Sequence, residues 1–333
     1  MNRKIRWGLL GAGKILNRWM KGARQIEDME IVAVASRTRE RAAKTAEKFQ
    51  IPDVLTYEEM LVRKDIDVVY IPVPHTAHMD LALKAMEAGK AVLVEKPAGI
   101  NVQQWEKMTE CARKNQVFLM EAVWTRFFPL IKEIEVHLKD IGDVRVVSTN
   151  FSFRNDEMDS RLMDPNRAGG SLLDVGVYDL HFTKMILKKD PILLSGVASM
   201  DTDEHHLQVD EQAAWIAQYD KGELGLMCSA IRTDMIDTAY IYGTKGHMII
   251  PQFWKPWQLQ LTVGDKVETI ECPVPQRIAG IEDEGYQFEI AHVNQCIREG
   301  MKESPVMTWE ETASILKQCD MLRKQWGLKY PQD

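Results

Sequence analysis

The sequence has no basic excess, no long apolar run, no internal repeat and no paired cysteine spacing. Lys and Arg number 42 against 49 Asp and Glu, a formal net charge of −7, and the pI is about 5.7. A general nucleic-acid binder neutralises phosphates with a surplus of Lys and Arg, so the charge balance argues against that class. No uninterrupted apolar stretch reaches the roughly 18 residues that signal a transmembrane helix, so no membrane partner is expected. The five cysteines, Cys111, Cys228, Cys272, Cys296 and Cys319, are scattered, odd in number and free of CxxC spacing. Buried, reduced thiols in a cytoplasmic protein are the expectation. His75 with His78, and the adjacent pair His205-His206, bring no convincing third and fourth ligand, so no metal site is expected. The basic start, Met1-Asn2-Arg3-Lys4-Ile5-Arg6, runs straight into an apolar strand and a glycine turn, without the core and cleavage pattern of a secretion signal.

What is present is enough for more than one hydrophobic core. At 333 residues, 45% apolar and 27% charged, the chain reads as globular and two-domain. Through the first third, short apolar runs alternate with helical patterns. Strands are expected at Ile5 to Leu10, Ile31 to Ala35, Val68 to Val73, Val92 to Val94 and Phe118 to Ala122. Helices are expected at Ile15 to Ile26, Arg39 to Phe49, Ala77 to Ala88 and Val102 to Lys114. That alternation predicts βαβ units and a doubly wound parallel sheet, hence an α/β fold. Beyond Trp124 the period changes. Ala213, Trp215, Ala217 and Tyr219 share one strand face, and Leu224, Leu226, Cys228 and Ala230 another. Val144 to Phe153 and Thr238 to Tyr242 are also strand-like, which predicts a mostly antiparallel second sheet. The expected division is a nucleotide-binding domain over 1–123 and an α/β domain with an open sheet over 124–333, whose terminal helices are free to pack back on the first domain.

Gly11-Ala12-Gly13 lies between the first strand and the first helix. Glycines there let the backbone turn sharply and approach a pyrophosphate, which the helix N-terminus stabilises. A dinucleotide site therefore involves Gly11, Gly13, Lys14 and Ile15. Leu16 holds the third fingerprint position, where Gly or Ala is usual. The second strand ends without the acid that reads a ribose 2′-hydroxyl. Ser36-Arg37-Thr38-Arg39 follows, with Arg41 beyond. A guanidinium binds a 2′-phosphate with paired hydrogen bonds where a carboxylate repels it, so Ser36, Arg37 and Arg41 favour NADP(H) over NAD(H). Glu95-Lys96-Pro97 closes another strand, and a lysine there stands where open α/β sheets bind ligands.

These features fall in a recognisable order. The glycine turn, the run Ile71-Pro72-Val73-Pro74-His75 with His78, Glu95-Lys96-Pro97, and Gly169-Gly170-Ser171-Leu172-Leu173-Asp174-Val175-Gly176-Val177-Tyr178 together resemble the Gfo/Idh/MocA oxidoreductase family over nearly the whole chain. Glu121-Ala122-Val123-Trp124-Thr125-Arg126-Phe127-Phe128-Pro129, Phe253-Trp254 and the tail near Tyr330 resemble its branch of dihydrodiol and NADP-dependent sugar dehydrogenases. The resemblance implies a Rossmann domain and an open antiparallel sheet that serves as a homodimer or homotetramer interface. It implies Lys96 in the active site, able to hydrogen-bond the reacting oxygen.

Asp174 and Tyr178 lie four apart on an expected helix and project from one face. Tyr178 stands where many family members have His. A phenol, whose free pKa is about 10, becomes a better proton donor beside a cationic lysine. Asp174 then orients Lys96 or the substrate hydroxyl. His181 is a rival, leaving Lys96, Tyr178 and His181 as proton carriers. His75 and His78 sit beside the cofactor ribose and pyrophosphate or cap the following helix, with Pro74 and Glu95 at the same site. Trp124, Arg126, Phe153 and Trp254 are the expected substrate contacts.

The implied function is NADP(H)-dependent interconversion of a secondary alcohol and a carbonyl on a sugar, polyol or similar small molecule. The alternatives are a trans-dihydrodiol dehydrogenase or α-dicarbonyl reductase and, in another class, a catalytically silent NADP-binding regulator.

Overall fold

The computed structural model describes residues 3–157, 160–200 and 209–333. The chain divides into two compact units: residues 1–127 with 274–313, and residues 128–273 with 314–333.

In the first unit, β1 (Ile5–Leu10), β2 (Met29–Ala35), β3 (Asp53–Leu55), β4 (Val68–Ile71), β5 (Ala91–Glu95) and β6 (Leu119–Ala122) form one sheet. Its order is β3-β2-β1-β4-β5-β6 and every pairing is parallel. The apolar runs read as strands because both faces of this sheet are covered by helices. Those helices are α1 (Leu16–Gln25), α2 (Arg39–Phe49), α3 (Tyr57–Val62), α4 (His78–Glu87) and α5 (Val102–Asn115). Local chemistry sets where they begin. Thr56 and Glu59 form a reciprocal capping box on α3, and Asn101 caps α5 by accepting from the Gln104 amide. Strand order reverses between β1 and β4, the position at which doubly wound sheets open a ligand crevice.

Residues 274–313 complete this unit. Helices α6 (Pro129–His137) and α7 (Val177–Leu187) belong to the second unit, whereas all of α8 (Tyr286–Arg298) and the first five residues of α9 (Trp309–Trp326) belong to the first. Trp7 Nε1 donates to Asn294 Oδ1 at 2.9 Å, and Asn294 Nδ2 donates to Asp28 Oδ1 at 2.8 Å. The Trp105 indole donates to the Trp309 carbonyl, and the Trp309 indole to that of Leu119, both at 2.9 Å.

In the second unit the sheet order is β14-β13-β12-β11-β7-β10-β9-β8. The strands are β7 (Val144–Ser152), β8 (Leu193–Met200), β9 (Asp210–Gln218), β10 (Leu224–Ala230), β11 (Thr238–Gly243), β12 (Gly246–Pro251), β13 (Gln258–Val263) and β14 (Lys266–Glu271). All neighbours run antiparallel except β7 and β10. Helix α7 is buried from Val177 to Ile186. One sheet face keeps apolar side chains in solvent: Val197, Ile216, Leu224, Leu226 and Tyr242 are all exposed.

The expected helix that carries Asp174 and Tyr178 begins differently. Leu172–Gly176 winds as a wider π turn before α7 takes over. No helix among the described residues is long and apolar enough to cross a membrane.

Candidate active site

Gly11 has φ +148°, a backbone conformation that L side chains rarely adopt. A Cβ on Gly13 would stand 2.3 Å from the Pro72 carbonyl oxygen, so only glycine lets this turn lie against the segment after β4. Helix α1 opens with no side-chain cap and no acid in its first turn. That is the electrostatic condition for a phosphate at its N-terminus. The turn through Gly11, Gly13, Lys14 and Ile15 thus fits a dinucleotide.

Ser36 and Arg37 follow directly on the buried end of β2. Thr38 caps α2, and Arg39 is occupied by the Val54 carbonyl and Glu59. Arg37 and Arg41 are exposed and flank Tyr57. Burial raises the Tyr57 phenol pKa against the opposing pull of these two cations. Two guanidiniums thus stand at this strand end, with the Glu58 carboxylate also acting on Tyr57.

His78 is fully buried and ties two turns together. Its Nδ1 lies 2.8 Å from the Pro97 carbonyl oxygen and its Nε2 2.8 Å from that of Val73. Pro74 precedes a single 3₁₀ turn that holds the buried His75. The Tyr70 hydroxyl donates to Glu95 Oε1, and the Tyr70 ring stacks on Trp19 at 4.5 Å. Glu289 of α8 is also fully buried, and burial, then Glu95 and Asp283, push its carboxyl well above the usual range. The Lys96–Pro97 peptide is cis. Behind it the Ala98 amide donates to Glu121 Oε1 at 2.9 Å.

Two expected substrate contacts also lie in this unit. The buried Trp124 stacks on Tyr286 at 4.1 Å, under the Arg18 guanidinium. Arg126 is buried and donates to Glu311 Oε2 at 2.8 Å.

In the second unit, Gly169-Gly170 turns the chain into the π turn. Gly170 has φ +110°. Asp210 Oδ2 accepts from the Leu172 amide at 2.6 Å and from Ser171 Oγ at 3.0 Å. Burial pushes the Asp210 pKa up to about 6. Tyr330 donates its hydroxyl to the Gly169 carbonyl at 2.5 Å. On this seat Asp174 pairs with Arg161 at 2.7 Å. The Tyr178 ring meets Phe151 edge-on at 5.3 Å, and Phe151 stacks on Trp254 at 4.9 Å. The structure therefore joins Tyr178 and Trp254 through a shared ring. His181 is buried on α7, Phe153 is half-buried, and the exposed Arg154 pairs with Asp156.

Sequence reasoning passed over Tyr70, Phe151, Arg161, Asp210 and Glu289. Each acts on a residue distant in sequence, which spacing alone does not reveal. Among the described residues no three His, Cys, Asp or Glu side chains gather as a metal site. His205 and His206 lie outside the described residues.

Residues 5–123 match the family described as "Oxidoreductase family, NAD-binding Rossmann fold", and residues 136–249 match the "GFO/IDH/MocA C-terminal domain". The trans-1,2-dihydrobenzene-1,2-diol dehydrogenase of Mus musculus is 35% identical over 335 residues, 99% of each chain. This chain is a Gfo/Idh/MocA oxidoreductase. The Homo sapiens enzyme of the same name is 34% identical, again over 99% of each chain. Among solved structures, the Gfo/Idh/MocA chain shares its fold with a 3-ketoreductase from Actinomadura kijaniata, in complex with NADP and TDP-benzene. The TM-score is 0.86 at 22% identity, over 97% of this chain and 98% of that one. The aldose-aldose oxidoreductase of Caulobacter crescentus gives a TM-score of 0.84 at 23% identity, over 97% of each.

Proposed function

We propose that this oxidoreductase is NADP(H)-dependent and interconverts a secondary alcohol and a carbonyl on a sugar, polyol or diol. The observation that carries the reading is the Lys96 turn. It ends β5 of a Rossmann sheet and is fastened by His78 on the Pro97 carbonyl and by Glu121 on the Ala98 amide. A cation fixed at a strand end stabilises negative charge developing on a substrate oxygen. The nicotinamide supplies or accepts the hydride. Lys96 then holds the reacting oxygen, Tyr178 or Lys96 moves its proton, and Asp174, steadied by Arg161, keeps the polar groups oriented. Trp124 and Trp254 offer ring faces to the substrate. The exposed Arg37 and Arg41 at the end of β2 support the preference for a 2′-phosphate.

Arg37→Ala is expected to raise the Michaelis constant for NADPH at least tenfold more than that for NADH, since paired hydrogen bonds to an anion are worth about 1.5–3 kcal/mol. Equal changes with both cofactors would count against the assignment.

The full-length likeness to the mouse dehydrogenase at 35% identity favours a second reading, oxidation of a trans-dihydrodiol or reduction of an α-dicarbonyl. NADPH consumption against aldoses, inositols, dicarbonyls and dihydrodiols separates the two. Tight NADPH binding with no turnover across that panel favours a silent regulator instead.

The apolar face formed by Val197, Ile216, Leu224, Leu226 and Tyr242 supports a homodimer or homotetramer built through the second sheet. Ile216 is 50% exposed and pairs in register with Leu226. Ile216→Lys is expected to shift the light-scattering mass to that of one chain; an unchanged mass counts against this interface. The scattered cysteines support a cytoplasmic setting.

A further inference from the structure

Glu121 is 2% exposed near the end of β6, and the function proposed above uses this carboxylic acid only as an acceptor, never for its charge. Its Oε1 accepts from the Ala98 amide, two residues beyond Lys96. The groups around it come from three elements. Lys96 faces it from the turn after β5, Arg126 from the turn after β6, and the Thr312 hydroxyl from α9. Arg126 directs its guanidinium to Glu311 at 2.8 Å. Both cations act on Glu121, Arg126 ahead of Lys96, and the Ala98 amide ties it to the turn that carries Lys96.

We propose that Glu121 is a positioning residue for Lys96: it holds the Lys96-Pro97-Ala98 turn from behind and, by taking up or releasing a proton, sets the charge that Lys96 faces. This rests on the reading of Lys96 as an active-site residue.

Burial pushes the Glu121 pKa up to about 7, against the downward pull of the Ala98 amide, Thr312, Arg126 and Lys96. Glu121 thus changes charge within the working range of a neutral-pH enzyme. Above that pH its carboxylate favours the ammonium of Lys96 and strengthens the bond to Ala98; below it both effects fade.

The test uses full-length protein and Glu121→Gln, which keeps an oxygen for the Ala98 amide and removes the titration. Wild-type kcat/KM, measured with saturating NADPH, is expected to show a limb with an apparent pKa of about 7. In E121Q that limb is lost and kcat at pH 8 falls about tenfold, roughly the effect of a one-unit change in the balance of protonation states. The Michaelis constant for NADPH stays within twofold. A second readout needs no activity. An acid whose folded pKa is raised keeps a proton that the unfolded chain has released. Its cost therefore grows as pH rises from the unfolded value to about 7 and is constant above. The melting temperature of E121Q relative to wild type should accordingly rise by about 2–4 °C between pH 5 and pH 8.

A pH profile for E121Q that superimposes on that of wild type overturns the proposal, as does a flat difference in melting temperature. Should E121Q not accumulate folded, Glu121→Asp keeps the charge but withdraws it from Ala98. The limb must then persist while kcat falls, and its loss overturns the proposal. If Lys96→Ala retains turnover, the functional reading fails instead, while the melting arm still reports on Glu121.

Discussion

Lys96→Ala is expected to lower kcat by about 10²–10⁴-fold, the range of a lost acid–base or oxyanion-stabilising group. NADPH binding, followed by fluorescence quenching, should stay within severalfold, because the glycine turn and Arg37 are untouched. The expectation follows from how firmly the lysine is mounted. On one side His78 contacts the Pro97 carbonyl at 2.8 Å; on the other the Ala98 amide is held by Glu121 at 2.9 Å. Removing the side chain deletes the cation without releasing the turn, so the loss should appear in kcat rather than in cofactor affinity. Tyr178→Phe divides the remaining question. If the phenol carries the proton, kcat falls by a comparable factor while the edge contact to Phe151 persists. If Lys96 carries it, the phenylalanine variant retains most of its turnover and His181→Ala is equally mild. Turnover within fivefold of wild type for Lys96→Ala sinks the mechanism.

Gly170→Ala should be strongly damaging for a single added methyl group. The new Cβ would stand 2.0 Å from Asp210 Oδ1, at a φ of +110°. Backbone strain at such a position costs about 1–3 kcal/mol, and a displaced buried carboxylate adds to it. Asp210 is what seats the Leu172 amide and the Ser171 hydroxyl, and the turn they begin carries Asp174. We expect the melting temperature to drop by about 4–8 °C for a total loss of roughly 2–4 kcal/mol. Turnover should fall at least tenfold, with the NADPH dissociation constant unchanged. Calorimetry with a parallel NADPH titration checks both. A melting point within 1 °C of wild type would show that Asp210 relaxes without cost.

The parallel sheet was legible because each long strand is an apolar run between helical patterns, and the glycine turn and Glu95-Lys96-Pro97 fall at its strand ends. What escaped had physical reasons. Asp53–Leu55 is three residues long and half-buried, too short for any period to register. Lys266–Glu271 is almost wholly exposed, so nothing apolar alternates along it. The π turn depends on a seat supplied by Asp210, which lies 38 residues from Leu172. Among the candidate site residues, those within contiguous motifs were readable. Their supports were not, because Arg161 and Phe151 become partners of Asp174 and Tyr178 only after the chain has folded. Glu121 is intermediate: it stood in a recognisable run, but its tie to the Ala98 amide is a fact of three dimensions.

The return of residues 274–313 to the first unit has a consequence for synthesis. The Trp7 indole waits for Asn294, Asp28 waits for Asn294 and Arg298, and Trp105 waits for Trp309. A ribosome that has finished the parallel sheet has not yet made these partners, and it must first make every strand of the second sheet. The nucleotide-binding unit is therefore the first begun, yet it is completed only after every strand of the second sheet has been made. Nascent chains halted before residue 274 should carry the Rossmann strands yet remain open to protease around Trp7 and Trp105.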